Sequence, residues 1–100
     1  MNEAVGIVNE EGRLVISGDL NFLTVPMLWK NSLPLLAALP ELNFDLKNIR
    51  SSNSAGAALL VEWMKYAESS KKKISFNDIP AQLNSIIEAL HLNLAPRISA

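Results

Sequence analysis

The sequence predicts an α/β fold: a single domain with a mixed, mostly parallel sheet, helices packed on that sheet, and an opening β-hairpin. Segments with the two-residue periodicity of strands alternate along the chain with segments of helical periodicity. This order is typical of parallel sheets. The length of 100 residues, of which 49% are hydrophobic, suffices for one core and leaves little chain for a second. We therefore expect residues 1–100 to form one domain.

Two short segments rich in β-branched residues lie near the start of the chain, at residues 5–8 and 13–17. Both are predicted to be strands. Residues 9–12 between them are polar and end in Gly12, which can supply the positive φ of a hairpin turn. A second polar loop is predicted at residues 18–21.

The first helix is predicted over residues 25–39, where nearly every side chain is apolar. Thr24 is the expected N-cap, and Pro26 falls in the first turn, where a residue without an N–H is tolerated. Pro34 lies inside this segment, and we expect it to end the helix near Leu33 or to kink it.

A strand and the best-defined helix follow. Residues 42–46 alternate apolar and polar side chains, which predicts a strand, and residues 48–53 predict a polar loop interrupted by Ile49. Ser54 stands before residues 55–68, a long run of helix-forming side chains, and is the expected N-cap of that helix.

The last third of the chain completes the alternation. Residues 71–73 are three lysines, which predict a solvated connector or, alternatively, a basic patch. Residues 74–77 predict a strand, and Pro80 suits the first turn of a helix over residues 81–90. The tail over residues 92–98 predicts a last short strand.

The composition excludes several classes of function. Nine basic and ten acidic side chains give a net charge of −1, without the excess of Lys and Arg that nucleic-acid binding requires. The lack of cysteine excludes disulfides, thiolate zinc sites and thiol nucleophiles, and the single histidine excludes paired histidine ligands. The acidic start and the lack of a long apolar run favour a cytoplasmic location. We expect no cofactor.

Few side chains could catalyse a reaction. His91, at the end of the last helix, could act as a general base, but a cation that favours the helix C-terminus is the simpler interpretation. Asp19 and Asp45 could form a carboxylate pair, although acids are common in loops and at strand ends. The sequence contains neither a phosphate-binding glycine motif nor a nucleophile elbow. Catalysis is therefore not expected.

Two features of the helix after Ser54 point to binding. The Ser54 hydroxyl could simply cap the helix, or the helix start could receive an anion such as a phosphate on Ser54. The helix also has an apolar arc broader than one core face requires. One shoulder of that arc, with Leu59, Trp63 and Tyr66, is either a partner-binding edge or a groove filled by neighbouring elements. Trp29 on the first helix poses the same alternative.

Four segments resemble those of a known family in order, spacing and length. They are residues 16–20 (ISGDL), 44–46 (FDL), 53–60 (NSAGAALL) and 74–80 (ISFNDIP). The chain is thereby similar to the STAS domain, the family of anti-sigma-factor antagonists and sulphate-transporter tails. The resemblance covers nearly the whole chain and implies a binding domain rather than an enzyme.

Within the STAS family, residues 26–29 (PMLW) and 58–60 (ALL) with Trp63 resemble the small subunit of Mla phospholipid ABC transporters. This likeness implies a non-catalytic protein that binds the transporter's ATPase subunit and supports its assembly and activity. It would reach the inner membrane only through that partner. The family's partner surface maps onto the start of the second helix, and the helical wheel extends it further along that helix. The expected partner-binding residues are Asn53, Ser54, Ala55, Leu59 and Trp63.

The chain departs from the antagonists at one position. Asn53 stands where they have an aspartate before their phosphorylated serine. A neutral amide cannot act as a base or metal partner, but it can hydrogen-bond to a docked protein. The departure favours the transporter subunit. The alternative is an anti-sigma-factor antagonist in which a partner kinase phosphorylates Ser54.

Overall fold

Strands and helices alternate along the chain after an antiparallel start. The computed structural model describes residues 5–94 and the backbone of residues 98–99. The elements are β1 (Gly6–Glu10), β2 (Arg13–Leu20), α1 (Val25–Ala38), β3 (Glu41–Ser52), α2 (Ser54–Ser70), β4 (Lys73–Asn77), α3 (Ala81–Ala89) and β5 (Ile98–Ser99).

The strands form one sheet in the order β1-β2-β3-β4-β5. β1 and β2 are antiparallel, and all other neighbours are parallel. The three crossovers between parallel strands step in the same direction across the sheet. Because such crossovers are right-handed, α1, α2 and α3 lie on one face. The predicted fold, a mixed and mostly parallel sheet with an opening hairpin, is confirmed.

The core lies between that face and the helices. Alternate side chains of the central strand point into it, so Leu42, Phe44 and Leu46 are fully buried. The Phe44 ring stacks on Trp63 of α2 with centroids 4.2 Å apart and planes inclined by 21°. It also contacts the Phe76 ring of β4 at 5.5 Å. α2 therefore packs over the centre of the sheet.

The hairpin turn has the backbone that the sequence predicts. Glu11 and Gly12 both have positive φ, 54° and 90°. Two such residues match the right-handed twist of the flanking strands. The Gly12 N–H donates to Asn9 Oδ1 at 2.8 Å, which closes the turn.

Two effects of Pro34 are predicted, an end of α1 near Leu33 or a kink. The first is wrong, because the helix continues through Pro34 to Ala38. Leu28 and Leu36, on either side of the proline, are both buried in the core, whereas Pro34 is exposed. Packing of the two halves against one core outweighs the backbone hydrogen bond that a proline cannot form.

The predicted polar loop at residues 48–53 is also wrong, because β3 extends to Ser52. Its second half pairs with β2, from Asn48 opposite Ser17 to Ser52 opposite Leu20. Two register shifts interrupt this ladder. Such irregularities break the two-residue alternation, so the sequence pattern does not reveal the strand.

The three lysines after α2 have different environments. Lys71 and Lys73 are exposed, as expected for a solvated connector. The Lys72 ammonium instead donates to the carbonyl oxygens of Leu36 at 2.6 Å and Ala37 at 3.2 Å. It thereby satisfies unpaired carbonyl groups at the C-terminal end of α1, where a positive charge is favoured.

The C-terminal part agrees with its prediction only in part, because residues 92–94 of the predicted last strand do not lie in a strand. α3 begins directly after Pro80, and β5 pairs with β4, Ile98 opposite Phe76. Residues 95–97 of the predicted tail lie outside the described residues. Of the helices that the structure describes, none combines the length and the apolar character needed to cross a membrane.

Candidate functional site

The turn from β3 to α2 meets the loop after β2 at one edge of the sheet. The carboxyl ends of the parallel strands lie at this edge, the usual place for binding sites in α/β proteins. The Asn53 N–H donates to the Leu20 carbonyl oxygen at 3.0 Å, which ties the two connections together. We refer to the surface formed by Phe22, Leu23, Met27, Asn53 and Ser54 as the tip surface.

Asn53 is the N-cap of α2, so the prediction that Ser54 caps this helix is wrong. Asn53 has extended backbone angles, and its Oδ1 accepts from the Ala55 N–H at 2.8 Å. Asparagine caps a helix about as well as aspartate, so this position needs no charge for its structural role. Ser54 is the first helical residue and is exposed. Its hydroxyl is therefore not needed for the cap.

Gly56 permits α2 to approach the ends of β2 and β3 closely. A Cβ at this position would collide with Ser52 Oγ and lie 3.1 Å from Leu20 Cβ. The Ser52 hydroxyl donates to the Asn53 carbonyl oxygen at 3.0 Å, and that carbonyl also accepts from the Gly56 N–H at 3.0 Å. This close packing fixes where the helix begins.

The predicted partner-binding edge is wrong at Leu59 and Trp63. Leu59 is 1% exposed and Trp63 is 0% exposed, so both belong to the core. The Trp63 Nε1–H donates to Ser32 Oγ at 3.0 Å, and the Ser32 hydroxyl donates to the Trp29 carbonyl oxygen at 2.7 Å. α1 therefore covers Trp63, as the alternative interpretation holds for that residue.

The other expected partner-binding residues divide by accessibility. Ala55 is buried, at 6% exposure, and a partner can reach little of it. Asn53 is half-buried and Ser54 is exposed. A role in partner binding for these two residues stays a prediction.

Side-chain hydrogen bonds build the loop between β2 and α1. Asn21 Oδ1 accepts from the N–H groups of Leu23 at 2.9 Å and Thr24 at 3.0 Å, which defines an Asx turn. Thr24 occupies the N-cap position of α1, as predicted, but its side chain makes no capping bond. Its hydroxyl instead donates to the Asp19 carbonyl oxygen at 2.7 Å. This defined turn leaves Phe22 69% and Leu23 90% exposed.

The tip surface carries an apolar cluster that the sequence reasoning missed. Met27, in the first turn of α1, is 62% exposed and adds to Phe22 and Leu23. The available signal was two consecutive large apolar residues between Asn21 and Thr24, in a loop too short to return them to the core. A groove of about 300 Å³ adjoins this cluster between α1 and α2. Its lining residues are Val25, Pro26, Trp29, Ala58, Leu59 and Glu62.

An ion pair connects the ends of β2 and β3 beside the tip surface. The Arg50 guanidinium donates to Asp19 through Nη2 at 2.8 Å and Nε at 3.2 Å, and the Ser51 hydroxyl donates to Asp19 at 2.9 Å. These hydrogen bonds, those of Arg50 first, hold the pKa of Asp19 below its usual value. Asp19 is therefore ionised at neutral pH, with its charge compensated by Arg50.

Asp19 and Asp45 do not form a carboxylate pair. Asp45 lies opposite Val15, four residues before Asp19 on β2, which separates the two acids by about 13 Å along the strand. Asp45 is 2% exposed and lies 3.6 Å from Arg13 Nε and 3.5 Å from Lys47 Nζ. Each acid thus has its own basic partners.

His91 lies in a different part of the fold from Asp19 on β2 and Asp45 on β3. It follows α3, which begins at the edge of the tip surface and runs back toward the opposite edge of the sheet. Among residues 5–94, no three His, Asp or Glu side chains are grouped closely enough to hold a metal ion. The tip surface combines exposed apolar side chains with the Ser54 hydroxyl and the Asn53 amide. Such a combination is typical of a binding surface.

A family model described as "Mlab, STAS domain" matches residues 3–94. Among curated protein sequences, none matches the chain significantly. The fold is similar to that of three solved structures, each at 13% to 18% sequence identity. At such identities the likeness concerns the fold alone.

The first of these structures is the anti-sigma factor antagonist SpoIIAA in its unphosphorylated form, with a TM-score of 0.69, 13% identity, and coverage of 97% of this chain and 88% of that chain. The second is an anti-sigma-factor antagonist (STAS) domain protein from Planctomyces limnophilus, with a TM-score of 0.71, 18% identity and coverage of 99% and 92%. The third is a variant of RsbS from Moorella thermoacetica, with a TM-score of 0.71, 17% identity and coverage of 98% and 86%.

Proposed function

The chain belongs to the STAS domain family of the Mlab type, and from that membership we propose that it binds the ATPase subunit of a Mla-type phospholipid ABC transporter. In this role it is a non-catalytic accessory subunit that supports assembly and activity of the transporter. It is cytoplasmic and reaches the inner membrane only through its partner. The ATPase subunit contacts the tip surface.

The observation that carries this proposal is the exposed apolar cluster of Phe22, Leu23 and Met27. Large apolar side chains that are grouped and exposed are typical of protein–protein contacts. The hydrogen bonds of Asn21 and Thr24 hold the loop in a defined turn without a partner. Less conformational entropy is then lost when a partner binds.

Asn53 and Ser54 supply the polar part of the same surface. The Asn53 N–H bond to Leu20 places the start of α2 beside the apolar loop. The Ser54 hydroxyl is exposed and can donate and accept hydrogen bonds at the contact. A Ser54→Glu substitution would place a carboxylate in a contact that excludes water, and we expect it to weaken binding.

The test measures binding of this chain to the ATPase subunit of a Mla-type transporter from the same organism, with both proteins purified. Phe22→Ser and Leu23→Ser are expected to weaken binding about tenfold or more, the size typical of residues that dominate an interface. Leu90→Ser is the matched control. Leu90 is an apolar side chain of 50% exposure that follows α3, at the opposite edge of the sheet.

The control separates a specific contact from a general loss of surface hydrophobicity. All three side chains are exposed, so the urea midpoint of each variant should stay near that of the wild type. Equal affinity of Leu23→Ser and the wild type would show that the partner binds elsewhere. An equal loss in Leu90→Ser would show that the effect is not specific to the tip surface.

The second candidate function is that of an anti-sigma-factor antagonist. The similar solved structures include such an antagonist, and the exposed Ser54 hydroxyl at a helix start is accessible to a kinase. Phosphate at that position would be favoured by the helix dipole. Mass spectrometry after incubation with ATP and a candidate kinase separates the two functions. Stoichiometric phosphate on Ser54 would favour the antagonist.

A further inference from the structure

β3 is longer than the strand that follows it in the sheet. Its pairing with β4 ends where Asp45 lies opposite Asn77, whereas its pairing with β2 continues to Ser52. Among the strands that the structure describes, residues 46–52 therefore have a neighbour on one side only. The backbone groups on the β4 side of this segment need partners from elsewhere.

Successive N–H groups of an extended chain point to opposite sides, and Ser52, the last residue of β3, and Asn53 after it follow this rule. The Asn53 N–H points toward β2 and donates to the Leu20 carbonyl oxygen at 3.0 Å. The Ser52 N–H points the other way and donates to Gln82 Oε1 at 3.0 Å. The side-chain amide of Gln82, the second residue of α3, thus replaces the missing strand partner.

The hydrogen bonds that define the start of α2 all depend on where Ser52 and Asn53 lie. The Ser52 hydroxyl donates to the Asn53 carbonyl oxygen, and Asn53 Oδ1 accepts from the Ala55 N–H. Because Leu20 holds Asn53 through a backbone bond, side-chain substitution cannot remove that bond directly. The Gln82 bond is the side-chain contact that fixes the turn from the α3 side.

We propose that Gln82 is a positioning residue: its side chain holds the end of β3 so that Asn53 and Ser54 are presented to the partner in one orientation. This inference rests on the proposed function, because it assumes that the tip surface is where a partner binds. Gln82 acts through the backbone of Ser52. Its role follows from the length mismatch between β3 and β4.

The test compares Gln82→Leu, which keeps a branched side chain of similar size but cannot accept a hydrogen bond, with Gln82→Glu, which retains an acceptor oxygen. Ser85→Ala, at an exposed position of the same helix, is the matched control. Amide hydrogen exchange of Ser52 is measured by NMR on the full chain. Dissociation from the purified ATPase subunit is measured in parallel.

We expect the Ser52 amide to exchange about tenfold faster in Gln82→Leu, the fold-change that corresponds to loss of one hydrogen bond. Amides in the middle of β3 should keep their wild-type exchange rates, since a local bond is lost and the fold remains. Dissociation from the ATPase subunit should be several-fold faster in Gln82→Leu. Gln82→Glu and Ser85→Ala should match the wild type in both measurements.

Two results would overturn the inference. One is unchanged Ser52 exchange in Gln82→Leu, and the other is faster Ser52 exchange with wild-type dissociation from the ATPase subunit. Failure of the wild type to bind the ATPase subunit is a different outcome, because it refutes the proposed function itself. The exchange measurement then still decides whether Gln82 orders the turn.

Discussion

Trp63→Ala is expected to destabilise the fold without acting directly on partner binding. The Trp63 side chain is fully buried, stacks on Phe44 at 4.2 Å and donates to Ser32 Oγ at 3.0 Å. Truncation of a buried tryptophan to alanine costs about 3–5 kcal/mol. Domains of this size have a free energy of unfolding of about 5–15 kcal/mol, so a large fraction would be lost. The expected decrease in Tm is more than about 12 °C.

The assay is urea unfolding followed by circular dichroism, because the substitution removes one of the two tryptophans on which fluorescence would depend. Trp63→Phe is the matched control, since it keeps an aromatic ring against Phe44 and loses the hydrogen bond to Ser32. Its free energy of unfolding should fall by about 1–2 kcal/mol, less than that of the alanine variant. Binding to the ATPase subunit is then measured under conditions where each variant is folded.

Folded Trp63→Ala should bind the ATPase subunit with nearly wild-type affinity, because Leu59 and Trp63 lie beneath the surface. An unchanged urea midpoint together with lost binding would refute this reasoning. Trp63 would then have to contact the partner directly, and the burial of this shoulder of α2 by α1 would be wrong.

Three further substitutions test single features of the structure. Lys72→Ala should lower the free energy of unfolding, measured by urea unfolding, by about 1 kcal/mol, because the carbonyl groups at the end of α1 lose their cation. Lys73→Ala, at an exposed position, is the control and should have little effect. Gly56→Ala should lower the free energy of unfolding by about 1–3 kcal/mol, measured by thermal unfolding, because the new methyl group collides with Ser52. This strain exceeds the gain in helix propensity. Asp19→Asn should reduce the loss of stability that acidification causes, measured by acid unfolding. The folded-state pKa of Asp19 is lowered, so its stabilisation is present above the unfolded pKa and is lost as the pH falls through the folded pKa.

Each of these predictions has a contradicting result. Equal effects of Lys72→Ala and Lys73→Ala would show that the contact with α1 contributes nothing specific. A Gly56→Ala variant more stable than the wild type would mean that α2 can move away from β3 without loss. An unchanged acid-unfolding profile in Asp19→Asn would show that the ion pair with Arg50 does not stabilise the folded state.

The sequence predicts the elements well where their signals are local. The hairpin turn follows from Gly12, and the strand around Phe44 follows from its two-residue alternation. The start of α2 is placed within one residue, although the cap is Asn53 and not Ser54. In each of these cases, backbone preferences and neighbouring side chains suffice to define the structure.

Sequence patterns do not predict a strand or helix that depends on contacts with residues distant in the sequence. The end of β3 at Ser52 is a strand because β2 pairs with it, and irregular register hides the alternation. α1 continues past Pro34 because Leu28 and Leu36 pack on one core. Neither contact is local in the sequence.

The candidate site likewise has features that local sequence predicts and features that depend on tertiary contacts. The sequence by itself determined the α/β order, the start of α2 to within one residue, and the wide apolar arc of α2. Only the tertiary structure decided that Trp63 is covered, because a helical wheel shows how wide an apolar arc is but not how many neighbours pack against it. It likewise decided that Phe22 and Leu23 are exposed, since exposure depends on which elements surround a loop.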